Sequence, residues 1–181
     1  MIVVLKILKK AYFKILRRVN FEKYAKLEGV TIGSNCRFLG YPDFGTEPYL
    51  VSIGNHVSIS SDCYFITHEG AHWVLKGLDK KYDTTFGYGR IVIHDNVYIG
   101  FGVTVLRGVT IGENTIVGAR SLVNKSLDAN SVYAGVPAKK ICSLEEWAEK
   151  FLNDMPEYNL NNYKKDKEKE VLRIVDSFSK R

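Results

Sequence analysis

Residues 91–127 read IVIHDNVYIGFGVTVLRGVTIGENTIVGARSLVNKSL, and an aliphatic residue returns in them at every sixth place. Ile93, Ile99, Val105, Ile111, Val117 and Val123 carry this step without a gap. Four residues after each stands a small or aliphatic partner: Val97, Val103, Val109, Thr115, Ser121 and Leu127. Upstream, Ile53, Ile59 and Phe65 keep the same step with Val57 and Cys63 as partners, and a further turn begins at Ile32-Gly33 with Cys36. A period of six suits neither a helix of 3.6 residues per turn nor a strand alternating every second residue. It suits a solenoid of short flat strands and tight turns, with three strands in the 18 residues from Ile93 to Ile111. The aliphatic residue points inward on every strand, because a narrow triangular interior has no room for polar groups. Asparagine or glycine at Asn35, Gly54, Asn55, Asn96 and Asn114 tolerates the left-handed backbone of the corners. Each coil covers only its neighbours, so stability accumulates by stacking.

Composition agrees with a folded chain. Of 181 residues, 45% are hydrophobic and 25% charged, which argues against global disorder. The apolar run Met1–Leu5 is far short of the roughly 20 residues a membrane span needs. Lys6, Lys9 and Lys10 interrupt any leader-like stretch, so no secretory signal is expected. Cys36, Cys63 and Cys142 are scattered and include no CxxC, so neither a disulfide framework nor a zinc site is expected. A reducing, cytoplasmic setting follows. Cys36 and Cys63 fall in the small inward slot and read as packing residues.

The net charge of +6 is uneven. Residues 1–26 carry eight basic residues against Glu22 alone, +7, so the rest of the chain sums to about −1. This pattern disfavours a diffuse nucleic-acid-binding surface. On a helix, Val4, Leu5, Leu8, Ala11, Tyr12, Ile15, Leu16 and Val19 share one side, and Lys6, Lys10, Lys14 and Arg17 the other. Residues 1–27 are therefore a basic amphipathic segment. Its apolar side either packs on the body or a neighbouring subunit, or meets the inner face of an anionic membrane.

The rhythm is expected to break once, in a loop over residues 66–90 that contains Thr67-His68-Glu69-Gly70-Ala71-His72-Trp73. Long ordered loops on a regular scaffold are commonly functional. His56 and His94 sit at turns where Asn or Asp would serve as well and read as solvated. The chain shows no GxSxG elbow, metal-ligand spacing, P-loop or dinucleotide fingerprint. One neutral imidazole suffices for acyl transfer from a thioester, because a thiol leaves with little acid help. Glu69 is a candidate to orient such an imidazole, an exposed loop carboxylate being the alternative.

These residues resemble the hexapeptide-repeat acyltransferase family over residues 28–142. The tail Gly118-Ala119-Arg120-Ser121-Leu122-Val123-Asn124-Lys125, followed by Ala134-Gly135-Val136-Pro137-Ala138-Lys139, is similar to that family's closing signature. The resemblance implies a left-handed parallel β-helix, an all-β solenoid, assembled as a homotrimer. It also implies acetyl transfer from acetyl-CoA with a loop histidine as general base and no metal. The run Phe65-Ile66-Thr67-His68-Glu69-Gly70 with Trp73 resembles the branch acting on polysaccharide sugars and points to His68. Counting from Ile59 resembles the xenobiotic branch and points to His72. Cofactor positions carried over from the family are Gly100, Phe101, Ala119, Asn124, Lys125 and Lys139. Cys142 departs from galactoside-type relatives, which have a basic residue there, and Lys140 is the substitute. The expected acceptor is a sugar hydroxyl of a surface polysaccharide or related glycan. N-acetylation of a nucleotide-linked amino sugar is the alternative, and a non-catalytic scaffold or three-histidine metal site the remaining ones.

After Ile141 the period stops. Ser143-Leu144-Glu145-Glu146 is a capping box opening a helix through Leu152. Pro156 interrupts, and Lys164–Ser179 reads as a second helix. Residues 143–181 are thus expected to be a helical extension capping the solenoid's open end, with a frayed terminus.

Overall fold

The computed structural model describes residues 2–154 and 158–178, and in the first helix it describes the side chains of residue 8 and of residue 10 onward. Pro156 and the last three residues, where a break and fraying are expected, lie outside the described residues. Two compact units are present, Met1–Leu144 and Glu145–Arg181.

The first unit is a three-sided parallel β-solenoid preceded by two helices. Strands β1 (Thr31–Ile32) and β2 (Arg37–Phe38) belong to the first coil. The second coil has β3 (Val51–Ile53), β4 (Ser58–Ile59) and β5 (Tyr64–Ile66). A hairpin of β6 (His68–Glu69) and β7 (Gly87–Tyr88) stands out from it. The third coil has β8 (Ile91–Ile93), β9 (Val97–Ile99) and β10 (Thr104–Leu106); the fourth has β11 (Thr110–Ile111), β12 (Thr115–Val117) and β13 (Leu122–Val123). β14 (Ser131–Ala134) continues the stack, and β15 (Lys139–Ser143) turns back antiparallel to it.

Register explains why the six-residue step had to be kept. Ile53 lies beside Ile93, and Ile93 beside Ile111, along one sheet. Ile59, Ile99, Val117 and Tyr133 form a second column. Phe65, Val105 and Val123 form a third. Each inward side chain therefore rests on its equivalent in the next coil, and Ile59, Ile99, Val105, Ile111, Val117 and Val123 have no exposed surface. From Val57 onward the partner slot is buried too, and polar atoms in the slot find acceptors across coils. Cys63 Sγ donates to the Gly100 carbonyl at 3.2 Å, and Cys36 Sγ to that of Gly54 at 3.2 Å. Burial pushes the Cys63 thiol up, which suits a packing residue.

One corner is an asparagine column. Asn35, His56, Asn96, Asn114 and Asn130 all have positive φ, between 53° and 59°. Asn96 Nδ2 donates to Asn114 Oδ1 at 2.8 Å, and Asn114 Nδ2 to Asn130 Oδ1 at 2.9 Å. His56 occupies an asparagine slot in this column and is exposed, as is His94 on the turn leading into it.

The first unit departs from the sequence reading in three places. The rhythm breaks twice: Phe44 extends the first coil's step from Ile32 and Phe38 and is buried, after which residues 45–50 are inserted before β3. The basic N-terminal segment is two helices, α1 (Ile2–Val19) and α2 (Phe21–Glu28). Asn20 separates them because its side chain accepts from the Lys23 N–H and caps α2. Within the excursion lies a short helix, α3 (His72–Lys76).

The second unit contains most of α4 (Leu144–Asp154), which starts directly after Ser143 as the capping box predicts, and α5 (Leu160–Lys165) and α6 (Lys167–Phe178). The single helix expected over 164–179 is split at Asp166, whose carboxylate accepts from the Lys169 N–H and opens α6. Glu170 is buried there, held by Arg173 and by the Asn159 N–H at 2.8 Å.

Candidate active site

Both insertions leave the solenoid at the same corner, the one that follows the third strand of a coil. The Asp43 backbone bridges to Tyr64, and a Cβ on Gly45 would lie 3.3 Å from the Phe65 carbonyl, so the first insertion runs under the second. The second is closed at its base by the β6–β7 pairing and by the Gly89 N–H donating to the Thr67 carbonyl at 2.9 Å. Glu47 rises from the first insertion directly to the histidine of the second.

His68 Nδ1 lies 2.9 Å from Glu47 Oε2. Glu47 also accepts from the Thr67 hydroxyl at 2.7 Å and from the Thr46 hydroxyl at 2.7 Å. These donors, Thr46 first, then Thr67 and His68, hold the Glu47 carboxyl below the usual carboxylate range. A carboxylate can only accept, so Nδ1 carries the hydrogen of this contact, and in the neutral imidazole that leaves the lone pair on Nε2. The imidazole side chain is 43% exposed and Glu47 14%, so the ring faces solvent while its partner is sheltered.

His72, at the start of α3, is held differently. Its Nδ1 meets the Glu69 backbone carbonyl at 2.8 Å, and its ring packs 5.0 Å from that of Phe86. The Glu69 carboxylate orients neither imidazole; it accepts from the Ala71 N–H at 3.0 Å. The orienting carboxylate is Glu47, 21 residues before His68. The misfit of Ile53 to the step running through Ile32, Phe38 and Phe44 marks the insertion that carries Glu47, but not its pairing with His68.

The six positions that the family resemblance offers for the cofactor fall in three places. Gly100, Phe101 and Ala119 stack at the corner that precedes the third strand, where the Gly100 N–H donates to Val117 at 2.8 Å. A Cβ on Gly100 would come 2.7 Å from the Ala119 nitrogen, so coil stacking alone requires glycine there. Phe101 is exposed, and the Arg120 guanidinium lies over its ring at 4.7 Å. Asn124 and Lys125 are exposed at the corner that follows the third strand, two coils on from His68. Between them at that corner stands Arg107, whose guanidinium passes the backbone of Gly87. Lys139 begins β15 and is exposed at the edge of the last coil. Arg107 and Arg120 are cations that motif reading passed over, because neither lies in the closing signature's lysine positions. Among the described residues no group of three or more His, Cys, Asp or Glu is gathered for a metal ion.

A parallel solenoid of six-residue steps, with a carboxylate-held imidazole at one corner, defines a hexapeptide-repeat protein equipped for general-base chemistry. Residues 90–125 match the family described as bacterial transferase hexapeptide (six repeats). The chain is 41% identical over 162 residues to Protein CapG of Staphylococcus aureus, covering 88% of this chain and 92% of CapG. It is 35% identical over 101 residues to galactoside O-acetyltransferase of Escherichia coli, covering 55% of this chain and 47% of that enzyme. AntD, an N-acyltransferase of Bacillus cereus solved with dTDP-4-amino-4,6-dideoxyglucose and coenzyme A, superposes with a TM-score of 0.51 at 27% identity, covering 70% of this chain and 72% of AntD. The chain belongs to the hexapeptide-repeat transferase family, and it is an acetyltransferase.

Proposed function

We propose that the chain transfers an acetyl group from acetyl-CoA to a sugar hydroxyl of a surface polysaccharide or related glycan. His68 is the general base and Glu47 its positioning residue. The 2.9 Å contact between His68 Nδ1 and the Glu47 carboxylate is the observation that carries this reading. With Nδ1–H donated to Glu47, Nε2 takes the proton of the acceptor hydroxyl. The oxygen attacks the thioester carbonyl, the C–S bond breaks, and the thiolate leaves with the proton returned from the imidazolium. Glu47 stabilises the positive charge that His68 carries between those two transfers. A backbone carbonyl, which is what His72 has, does this less well, and so His68 is preferred.

Lys125 and Lys139 supply positive charge for the nucleotide phosphates of the co-substrate, and Arg107 and Arg120 add to it. Gly100, Phe101, Ala119 and Asn124 line the path of the pantetheine arm. The solenoid winds left-handed and three copies associate, so that the co-substrate lies between subunits. The likeness to AntD favours a second reading, N-acylation of a nucleotide-linked amino sugar, for which the same base would serve.

The test follows CoA thiol release from acetyl-CoA with two acceptor panels, oligosaccharides and nucleotide-linked amino sugars. His68→Ala is expected to lower kcat at least ~100-fold, and His72→Ala to leave it within a few-fold. Near-wild-type turnover by His68→Ala overturns the assignment of the base. Turnover with the amino-sugar panel alone selects the second reading. Silence in both panels, with no binding of acetyl-CoA, overturns the enzymatic reading in favour of a scaffold.

A further inference from the structure

The side chains of α1 divide into three sectors when placed at about 100° per residue. Phe13, Leu16 and Arg17 face the body. Leu16 is buried, the Phe13 ring lies 6.0 Å from that of Tyr24, and the Arg17 guanidinium lies 5.7 Å from the Tyr41 ring. The second sector is Leu8, Tyr12, Ile15 and Val19, which are 61%, 48%, 63% and 79% exposed. Lys10, Lys14 and Arg18 form the third sector and are exposed too. Phe13, which interrupts the helix's polar side in the sequence, is thus part of its anchor. Of the apolar side marked in the sequence, Leu8, Ala11, Tyr12, Ile15 and Val19 lie outside the contact.

Docking through Phe13, Leu16 and Arg17 leaves an apolar stripe beside a row of cations. Two observations identify what the stripe meets. Residues 1–26 carry +7 while the rest of the chain sums to about −1, so the positive charge is gathered on this segment. Pairing of this stripe with the same stripe of a second copy would cover the apolar side chains but leave Lys10, Lys14 and Arg18 without a complement. An anionic lipid surface offers both complements, headgroup charge for the cations and acyl chains for the stripe. No helix among the described residues is long and apolar enough to cross a membrane, so α1 would lie in the plane of the interface.

We propose that α1 is an interfacial helix that holds the enzyme on anionic bilayers, with Leu8, Tyr12, Ile15 and Val19 inserted and Lys10, Lys14 and Arg18 at the headgroups. The full chain is tested by flotation with phosphatidylcholine vesicles, with or without phosphatidylglycerol, at low and high salt. It is expected to float with the phosphatidylglycerol vesicles at low salt and not with phosphatidylcholine alone. Each basic residue at such a surface contributes about a fivefold factor, so the triple change Lys10→Gln, Lys14→Gln, Arg18→Gln weakens binding about 100-fold. The double change Tyr12→Glu, Ile15→Glu abolishes flotation while circular dichroism melting stays that of the parent, since both side chains are exposed.

Failure of the parent chain to float with phosphatidylglycerol vesicles overturns the proposal. Undiminished flotation of the double variant overturns it as well, because binding would then be adsorption by charge alone. If the parent does not float and the double variant changes the mass measured by light scattering, the stripe is instead an interface between copies. Flotation reads binding and not turnover, so its result is independent of the acceptor and of His68.

Discussion

Glu47 gathers Thr46, Thr67 and His68 on one carboxylate, and that convergence separates His68 from the other three histidines. Glu47→Gln keeps the side chain's size and removes the charge that an imidazolium needs. It is expected to lower kcat about 10- to 100-fold while the KM for acetyl-CoA stays within about twofold, as a base-positioning role demands. An unchanged kcat would remove Glu47 from the mechanism. Gly100 is a position of the opposite kind, where structure alone dictates the residue. A methyl there meets the Ala119 nitrogen at 2.7 Å, so Gly100→Ala is expected to cost about 1–3 kcal/mol. A calorimetric scan should show Tm lower by several degrees, and an unshifted Tm would mean that the coils separate more easily than their packing implies.

The strands are two to four residues long in the solenoid coils, too short to be stable alone, and each is held by the column it joins. Ile99 sits in the middle of its column with no exposed surface. Ile99→Ala should destabilise by about 2–5 kcal/mol, read as a drop in the denaturation midpoint with an unchanged slope. The helices α5 and α6 depend on a different kind of interaction. Hydrogen bonds from Arg173, and then from the Asn159 backbone, pull the Glu170 carboxyl from 4.5 down to about 2. A depressed carboxyl contributes its full stabilisation above its unfolded value and loses it as protons bind to the folded form. Protection of amides 158–178 against hydrogen exchange should therefore hold above pH 4.5 and fall as the pH is lowered from there toward 2. Glu170→Gln should lower protection at neutral pH and flatten that dependence. An equally steep loss in the variant would assign it to other carboxylates.

Across the molecule as a whole, Gly100, Phe101 and Ala119 occupy one corner of the solenoid and Asn124 and Lys125 the next, with an outer sheet face between them. A pantetheine arm lying between two subunits would use one corner from each, and activity would then require association. Size-exclusion chromatography with light scattering should give three copies of the 20.5 kDa chain in the active fraction. A stable, active monomer would refute the shared site.

Periodicity alone specified the parallel three-sided solenoid, because a narrow interior in which equivalent side chains stack admits an apolar residue at every sixth place. The same constraint identified the corners, the packing role of Cys36 and Cys63, and the loop with His68 and His72. The partner of His68 was not legible, since Glu47 lies 21 residues away and meets it only because two insertions leave neighbouring coils at one corner. Amphipathic spacing likewise located a helix in the basic segment but not the side on which it docks. That depended on Phe13, Leu16 and Arg17 meeting Tyr24 of the next helix and Tyr41 of the first coil, contacts that amphipathic spacing within one helix does not encode. Residue spacing is written into a repeat because each coil repeats the same contacts; a site made where the repeat is broken depends on how the breaks stack.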